Sequence, residues 1–209
     1  LRFELVPLLE RIDATHPRPV VVGSVRDILQ IQQKPERERE MLGWAKNWFD
    51  AILVHGDPRF VRFEETFPLM PELGPPVYYT GFVLTPGDRL AVGEGGPRPE
   101  VVVSAGGGAV GIEHLAMALA AQKQSRFGHL PWRVLAGPNI PDEGMRRLLR
   151  EAGPNAVVER SRVDFPALLR QAFVSVSQGG YNTVMDVVTS GARPVVVPFT
   201  GSGETEQRA

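Results

Sequence analysis

The sequence contains no cysteine. Disulfides, thiolate nucleophiles and cysteine-ligated zinc or iron–sulfur sites are therefore excluded, and the composition suits a reducing compartment. An excess of positive charge is also lacking, because 23 Lys and Arg face 24 Asp and Glu, for a formal net charge of −1. A chain without a basic surplus is not expected to bind nucleic acid. No apolar run approaches the ~20 residues of a transmembrane helix. We expect a cytoplasmic protein, either free or peripheral to the membrane, with no transmembrane segment.

What the sequence does contain is enough apolar material for a core. Hydrophobic residues make up 43% of the 209 residues and charged residues 22%. These are the proportions of a soluble globular protein, and they exclude bulk disorder. The length suits one large domain or two small ones.

Both ends of the sequence resemble interrupted helices. The first residue is Leu1 rather than a methionine, inside a helical spacing of apolar residues, and residues 204–209 read as the first turn of a helix without a stop signal. We interpret the chain as a fragment in which both domains are incomplete, and we expect this fragment to be inactive by itself.

Short β-branched runs alternate with amphipathic segments along the whole chain. The predicted strands cover residues 19–23, 51–56, 77–81, 101–103, 132–136, 156–159, 174–177 and 195–198. The predicted helices cover residues 1–13, 36–50, 111–123, 142–152, 166–171 and 181–190. This alternation predicts right-handed βαβ units and parallel sheets, hence an α/β fold. The valine runs at 19–23 and 195–198 are typical of buried strands.

A change in composition divides the chain. Residues 85–99 are rich in glycine and proline, which predicts a linker or surface loop. We expect one domain over residues 1–84 and a second over residues 100–209, truncated at its carboxyl end.

The first candidate site is a glycine-rich turn between a strand and a helix. Gly106, Gly108 and Gly111 satisfy G-x-G-x-x-G, and Gly107 lies among them. Such a turn lets the backbone approach a diphosphate at a helix N-terminus. A dinucleotide site would also need an acid after the next strand, and the run 135–139 has none, which disfavours NAD. A tight turn that binds nothing explains this motif equally well.

The second candidate also joins a strand to a helix. Gly179 and Gly180 open the backbone where helix N–H groups are free, and Asn182, Thr183 and Asp186 share one helical face. This set of donors with one carboxylate suits a nucleoside diphosphate and its ribose diol. The alternative is an ordinary helix start in which Asp186 complements the helix dipole.

The third candidate follows the last predicted strand. Glu206 and Gln207 come after a flexible loop and could hydrogen-bond the hydroxyls of a sugar at the carboxyl edge of the sheet. A solvated loop with acids at a helix start is the simpler interpretation of this segment alone.

Together, the motif at 178–186 and the acid–amide pair at 206–207 resemble the donor-site signature of two-domain GT-B glycosyltransferases. The sequence is most similar to family 28, the MurG-like enzymes and their predicted glycosyl transferase relatives. The resemblance implies two Rossmann-like parallel-sheet domains. Residues 1–84 would be the later half of the N-terminal acceptor domain, and residues 100–209 most of the C-terminal donor domain.

The resemblance also implies roles for individual residues. The diphosphate would be contacted by residues of both glycine turns, the ribose by Asp186, the base by the backbone near Val163, and the sugar by the acid–amide pair. The implied donor-binding residues are Gly106, Gly107, Gly108, Val163, Gln178, Gly179, Gly180, Asn182, Thr183, Asp186, Glu206 and Gln207. Gln178 stands where many relatives have histidine.

The resemblance implies a hexosyltransferase that moves a sugar from a nucleotide-diphosphate sugar, such as a UDP-sugar, to an acceptor hydroxyl. The nucleotide-sugar is a co-substrate, so no cofactor is expected, and helix N-termini would replace a metal. The acceptor is either lipid-linked or a small molecule. The family's catalytic base lies in a region that this sequence lacks, so no catalytic residue is assigned. The alternatives are a nucleotide-sugar epimerase of the same fold and a non-catalytic nucleotide-sugar-binding module.

Two further features are expected to be structural. The four histidines are scattered without metal-ligand spacing, so no metal site is predicted. Residues 23–27 are expected to form a plain turn after a strand, although they could line an acceptor cleft.

Overall fold

The computed structural model describes residues 5–26, 28–29, 34–84, 99–105 and 111–198. These form two compact units, one within residues 5–83 and the other within residues 84–198. The predicted linker at 85–99 lies almost entirely outside the described residues, so its assignment stays a prediction.

The first unit contains a small parallel sheet. Its elements are α1 (Val6–Asp13), β1 (Val22–Arg26), α2 (Pro35–Trp48), β2 (Ala51–His55) and β3 (Val77–Tyr79), with two 3-10 turns, Phe63–Glu65 and Met70–Glu72. The strand order is β1-β2-β3, and both pairings are parallel. The longest helix that the structure describes is α2, with 14 residues. None of the described helices is long and apolar enough to cross a membrane.

The predicted strand at 19–23 was placed too early, and the prediction that it is buried was wrong. Val20 is 78% exposed, and β1 begins at Val22. The hydrogen-bond ladder between β1 and β2 begins only at Val22, because the Val21 N–H donates a hydrogen bond to the Asp50 carboxylate, at 2.7 Å, rather than to a neighbouring strand. The ladder then runs to Arg26, so the described residues 23–26 lie in the strand and not in the predicted turn.

The second unit is a five-stranded parallel sheet with helices on both faces. Its elements are β4 (Val101–Ser104), α3 (Ile112–Gln124), β5 (Trp132–Ala136), α4 (Asp142–Glu151), β6 (Ala156–Arg160), α5 (Phe165–Gln171), β7 (Val174–Ser177), α6 (Tyr181–Ser190) and β8 (Arg193–Val196). The strand order is β6-β5-β4-β7-β8. The predicted α/β fold with parallel sheets is thus confirmed.

Alternate residues of β4 serve the two cores of this unit. Val101 and Val103 pack with Leu115 and other residues of α3 and α4, whereas Val102 packs with residues that include Leu169 of α5. Every residue of β4 is therefore buried, as expected for the central strand of a doubly covered sheet.

The prediction of a buried strand at 195–198 was wrong. The strand β8 spans Arg193–Val196, and all four of its residues are exposed. It is last in the strand order, so among the described residues it has a strand neighbour, β7, on one side only. A valine run cannot reveal this, because position at the edge of a sheet is a property of topology.

Candidate functional site

In the second unit, the chain leaves the neighbouring strands β4 and β7 toward opposite edges of the sheet. From β4 the chain continues through α3 to β5, whereas from β7 it continues through α6 to β8 on the other side of the sheet. This divergence leaves a crevice at the carboxyl ends of the two strands, which is where open α/β sheets bind ligands. Both predicted glycine turns follow these two strands.

The structure brings the ends of the two turns together. A methyl group built on Gly111, at the start of α3, would lie 3.3 Å from Oε1 of Gln178. The side chain of Gln178 therefore lies against the first turn of α3. Gly106, Gly107 and Gly108 lie outside the described residues, so their predicted contact with the phosphates stays a prediction.

Both helices at the crevice begin at a glycine. Gly111 is the N-cap residue of α3 and Gly180 that of α6, and within the part of the chain that the structure describes neither N-cap residue makes a side-chain capping hydrogen bond. The first backbone N–H groups of a helix have no partner within the helix and carry partial positive charge. The two helix starts therefore offer donors suited to an anion.

A cavity of about 200 Å³ lies at the end of β4 and beside α6. Its lining residues come from the ends of β4 and β5, from the segment that joins β6 to α5, from the start of α5 and from the first two turns of α6; they are Ser104, Leu135, Ser161, Arg162, Phe165, Thr183 and Asp186. Thr183 and Asp186, which the sequence predicted, face the same cavity because they are three residues apart on one helix.

Other predicted residues are placed differently. Asn182 is exposed and is not among the residues that line the cavity. The side chain of Val163 is fully exposed and is not among the residues that line the cavity. Glu206 and Gln207 lie outside the described residues.

Ser104 is a site residue that sequence reasoning missed. Its side chain is 6% exposed, its hydroxyl has no hydrogen-bond partner among the described residues, and it lines the cavity. A buried hydroxyl without a partner costs about 1–3 kcal/mol. The sequence signal that could have identified this residue was a serine at the end of a strand whose other residues are all valine.

Arg162 brings positive charge to the cavity wall. Its Nε lies 2.8 Å from Oδ1 of Asp164, and its Nη1 lies 3.6 Å from Oε2 of Glu159. Glu159 is itself held by Arg133, at 2.6 Å. The hydrogen bond from Arg162 lowers the pKa of Asp164, and the same pairing raises the pKa of Arg162. The guanidinium is thus fixed in place, with part of its charge already balanced.

A buried histidine lies on the other side of β4. His114, in the first turn of α3, is 4% exposed, and no described residue forms a hydrogen bond with its Nε2. Burial lowers the pKa of His114, and a hydrogen bond with the backbone of Ser104 acts in the opposite direction. The imidazole of His114 joins α3 to the end of β4, and it does not line the 200 Å³ cavity.

Comparison with known proteins gives matches at the level of structure. No family model matches the sequence, and no curated protein matches it. A UDP-glucosyltransferase from Polygonum tinctorium aligns with a TM-score of 0.54 at 17% identity, over 86% of this chain and 43% of that one. A glycotransferase of kitacinnamycin aligns with a TM-score of 0.49 at 18% identity, over 99% of this chain and 51% of that one. A UDP-glucose:anthocyanidin 3-O-glucosyltransferase in complex with UDP aligns with a TM-score of 0.47 at 18% identity, over 86% of this chain and 43% of that one.

The likeness to the Polygonum enzyme shows the fold. The chain has a GT-B-like α/β architecture, as the sequence predicted, and it spans about half the length of the structures it matches. Membership of family 28 is a finer assignment, and it stays a prediction.

The turn at Gly179 leads to a prediction about stability. Gly179 has φ +76°, and a methyl group there would lie 2.7 Å from Cγ1 of Val196. The left-handed conformation costs a residue with a side chain about 1–2 kcal/mol, and the overlap with Val196 adds to that cost. We expect Gly179→Ala to lower the unfolding free energy of the second unit by at least about 1–2 kcal/mol, as measured by urea unfolding followed through NMR signals of that unit.

Gly180→Ala is the matched control. Gly180 has φ −62°, and no atom lies within 4 Å of the position of its added methyl group. Losing a glycine N-cap should cost less than about 1 kcal/mol. Equal losses in the two variants would contradict this account of the turn.

Proposed function

We propose that the protein transfers a sugar from a nucleotide-diphosphate sugar to an acceptor hydroxyl, and that the second unit binds the nucleotide. One observation carries the proposal: the buried hydroxyl of Ser104 has no partner in the described ranges of the chain and faces a cavity at the crevice between β4 and β7. A ligand that hydrogen-bonds this hydroxyl would remove the cost of leaving it unpaired. The likeness to UDP-glucosyltransferases supports the same class of donor.

The size and lining of the cavity suit the nucleoside part of such a donor. Pockets for whole ligands commonly span about 300–1,000 Å³, so a cavity of about 200 Å³ would hold only part of the molecule. Asp186 would accept hydrogen bonds from the ribose hydroxyls. Leu135 and Phe165 would provide an apolar wall for the base, whose polar edge would meet the backbone near Val163.

The diphosphate would extend from the cavity along the helix starts. The first-turn N–H groups of α3 and α6, together with the predicted turn at Gly106 to Gly108, would stabilise the negative charge that develops as the nucleoside diphosphate departs. We propose that this makes a metal ion unnecessary and that no other cofactor takes part. Glu206 and Gln207 would hold the sugar.

The first test is thermal unfolding of the chain with UDP, dTDP, GDP or NAD. At a concentration 100-fold above Kd, a ligand stabilises the folded unit by about 2.7 kcal/mol, which raises Tm by roughly 5–10 °C. We expect one nucleoside diphosphate to give this shift, and Asp186→Ala to abolish it. A shift with NAD alone would instead support a dinucleotide-dependent enzyme.

The second test compares two buried serines. Ser104 and Ser175 both have hydroxyls without partners, but only Ser104 lines the cavity. We expect Ser104→Ala and Ser175→Ala each to raise the unfolding free energy by about 1 kcal/mol, because each removes a buried unpaired group. Only Ser104→Ala should weaken the binding of UDP, by about five- to tenfold in Kd measured by calorimetry.

The comparison between the two serines separates ligand binding from folding. If both variants bind UDP as tightly as the parent chain, the Ser104 hydroxyl has no role in the donor site. If both lose affinity equally, the effect comes from the β-sheet in general.

A further inference from the structure

An apolar groove of about 420 Å³ lies in the second unit, on the face of the sheet that α3 covers. Valines of β4 and β7 form its floor, α3 forms one wall, and Val195 of β8 with the following Val197 forms the other. Met117 and Val195 leave 58% and 47% of their surface exposed. The described lining contains no lysine, arginine, aspartate or glutamate. The volume falls within the range of small-molecule pockets, about 300–1,000 Å³.

The wall on α3 is a single stripe of that helix. His114, Met117, Ala118 and Ala121 follow one another at spacings of three and four residues, which places them on one helical face. From His114 to Ala121 the stripe is about 10 Å long. Two of its members are alanines, so the helix leaves room between itself and the valines of β7 and β8. The groove therefore suits an elongated ligand of about this length.

The end of the groove farthest from His114 has its polar atoms paired within the protein. Nε1 of Trp132 donates a hydrogen bond to the carbonyl oxygen of Phe127 at 3.1 Å, and Oγ of Ser125 accepts one from the Phe127 N–H at 3.0 Å. The ring of Phe127 packs edge-on against Phe173, with 5.6 Å between the centroids. A ligand at this end would gain apolar contact.

His114 contributes the one buried polar atom of the described lining that has no partner. Its side chain is 4% exposed, and no described residue forms a hydrogen bond with its Nε2. The ring does form a hydrogen bond with the backbone of Ser104, and because Nε2 is unpaired, the donor is Nδ1–H. With the proton on Nδ1, Nε2 carries a lone pair. Leaving this acceptor buried and unpaired lowers the stability of the folded protein until a donor reaches it.

We propose that this groove binds an uncharged alcohol with an elongated apolar body. The hydroxyl donates a hydrogen bond to Nε2 of His114, and the body lies along α3 against Met117, Ala121 and Val195. A carboxylate fits less well, because it would be buried without a cation and would offer Nε2 no proton. The groove shares no lining residue with the cavity at Ser104, so this inference does not depend on the proposed function.

The test is an NMR titration of the chain, near neutral pH, with three probes of similar size. 1-Octanol has the apolar body and the donor, heptyl methyl ether has the body and an acceptor only, and octanoate carries a negative charge. We expect 1-octanol to shift the signals of His114, Met117, Val195 and Val197. The ether should bind about five- to tenfold more weakly, which corresponds to one lost hydrogen bond. Octanoate should bind at least about tenfold more weakly than 1-octanol.

Two neighbouring alanines of α3 provide a matched pair of variants. Ala120 and Ala121 are both exposed, but only Ala121 lines the groove. Phenylalanine has the same helix propensity at either position. We expect Ala121→Phe to fill the groove and weaken the binding of 1-octanol at least about tenfold, and Ala120→Phe to leave it unchanged.

The role of the His114 nitrogen has its own variant and its own signal. His114→Asn keeps an amide donor near the position of Nδ1–H and removes Nε2, so it should abolish the preference for 1-octanol over the ether. In the parent chain, which requires no substitution, the nitrogen-15 signal of Nε2 should move when 1-octanol is added. The ether should leave that signal in place.

Equal binding of 1-octanol and the ether, no binding of 1-octanol, or equal losses in the two alanine variants would overturn the proposal. Groove signals that shift with protein concentration, together with a dimer in sedimentation that 1-octanol does not dissociate, would assign the groove to a second copy of the chain instead. A chain that binds UDP but not 1-octanol contradicts only this inference. A chain that binds 1-octanol here but no nucleotide contradicts only the proposed function.

Discussion

The organisation of the second unit depends on one constraint, the adjacency of two parallel strands whose crossovers leave in opposite directions. Because α3 and α6 return to different sides of β4 and β7, the carboxyl ends of these strands remain open. Two helix starts at glycine N-caps, a cavity and a buried hydroxyl lie at this opening. The position of the site that we propose is thus a consequence of chain topology, and the individual side chains would determine which ligand fits.

Two residues of this site lower the stability of the folded unit. Gly179 adopts a conformation that other residues avoid, and the hydroxyl of Ser104 is buried without a partner. Neither feature stabilises the free protein, since a valine-like side chain at 104 would continue the core of β4. Such features are typical of sites where stability is given up for binding.

The sequence was most informative where the pattern is local. Strand–helix alternation predicted the parallel sheets, and helical spacing placed Thr183 and Asp186 on the face that lines the cavity. The sequence was not informative where a feature depends on residues that are close in space but distant along the chain. Arg162 reaches the cavity only because β6 lies on the far side of β5, and His55 contacts residues 31 and 25 positions away. The exposure of β8 likewise follows from strand order, which no valine run reveals.

The most direct measurement is a crystal structure of the chain with UDP. The account predicts that the nucleotide lies across the carboxyl ends of β4 and β7, with its ribose against Asp186 and its diphosphate at the starts of α3 and α6. A polar atom of the ligand should lie within hydrogen-bonding distance of Oγ of Ser104. UDP bound at another surface, with Ser104 still unpaired beside an empty cavity, would contradict the central claim that this crevice is a nucleotide-sugar site.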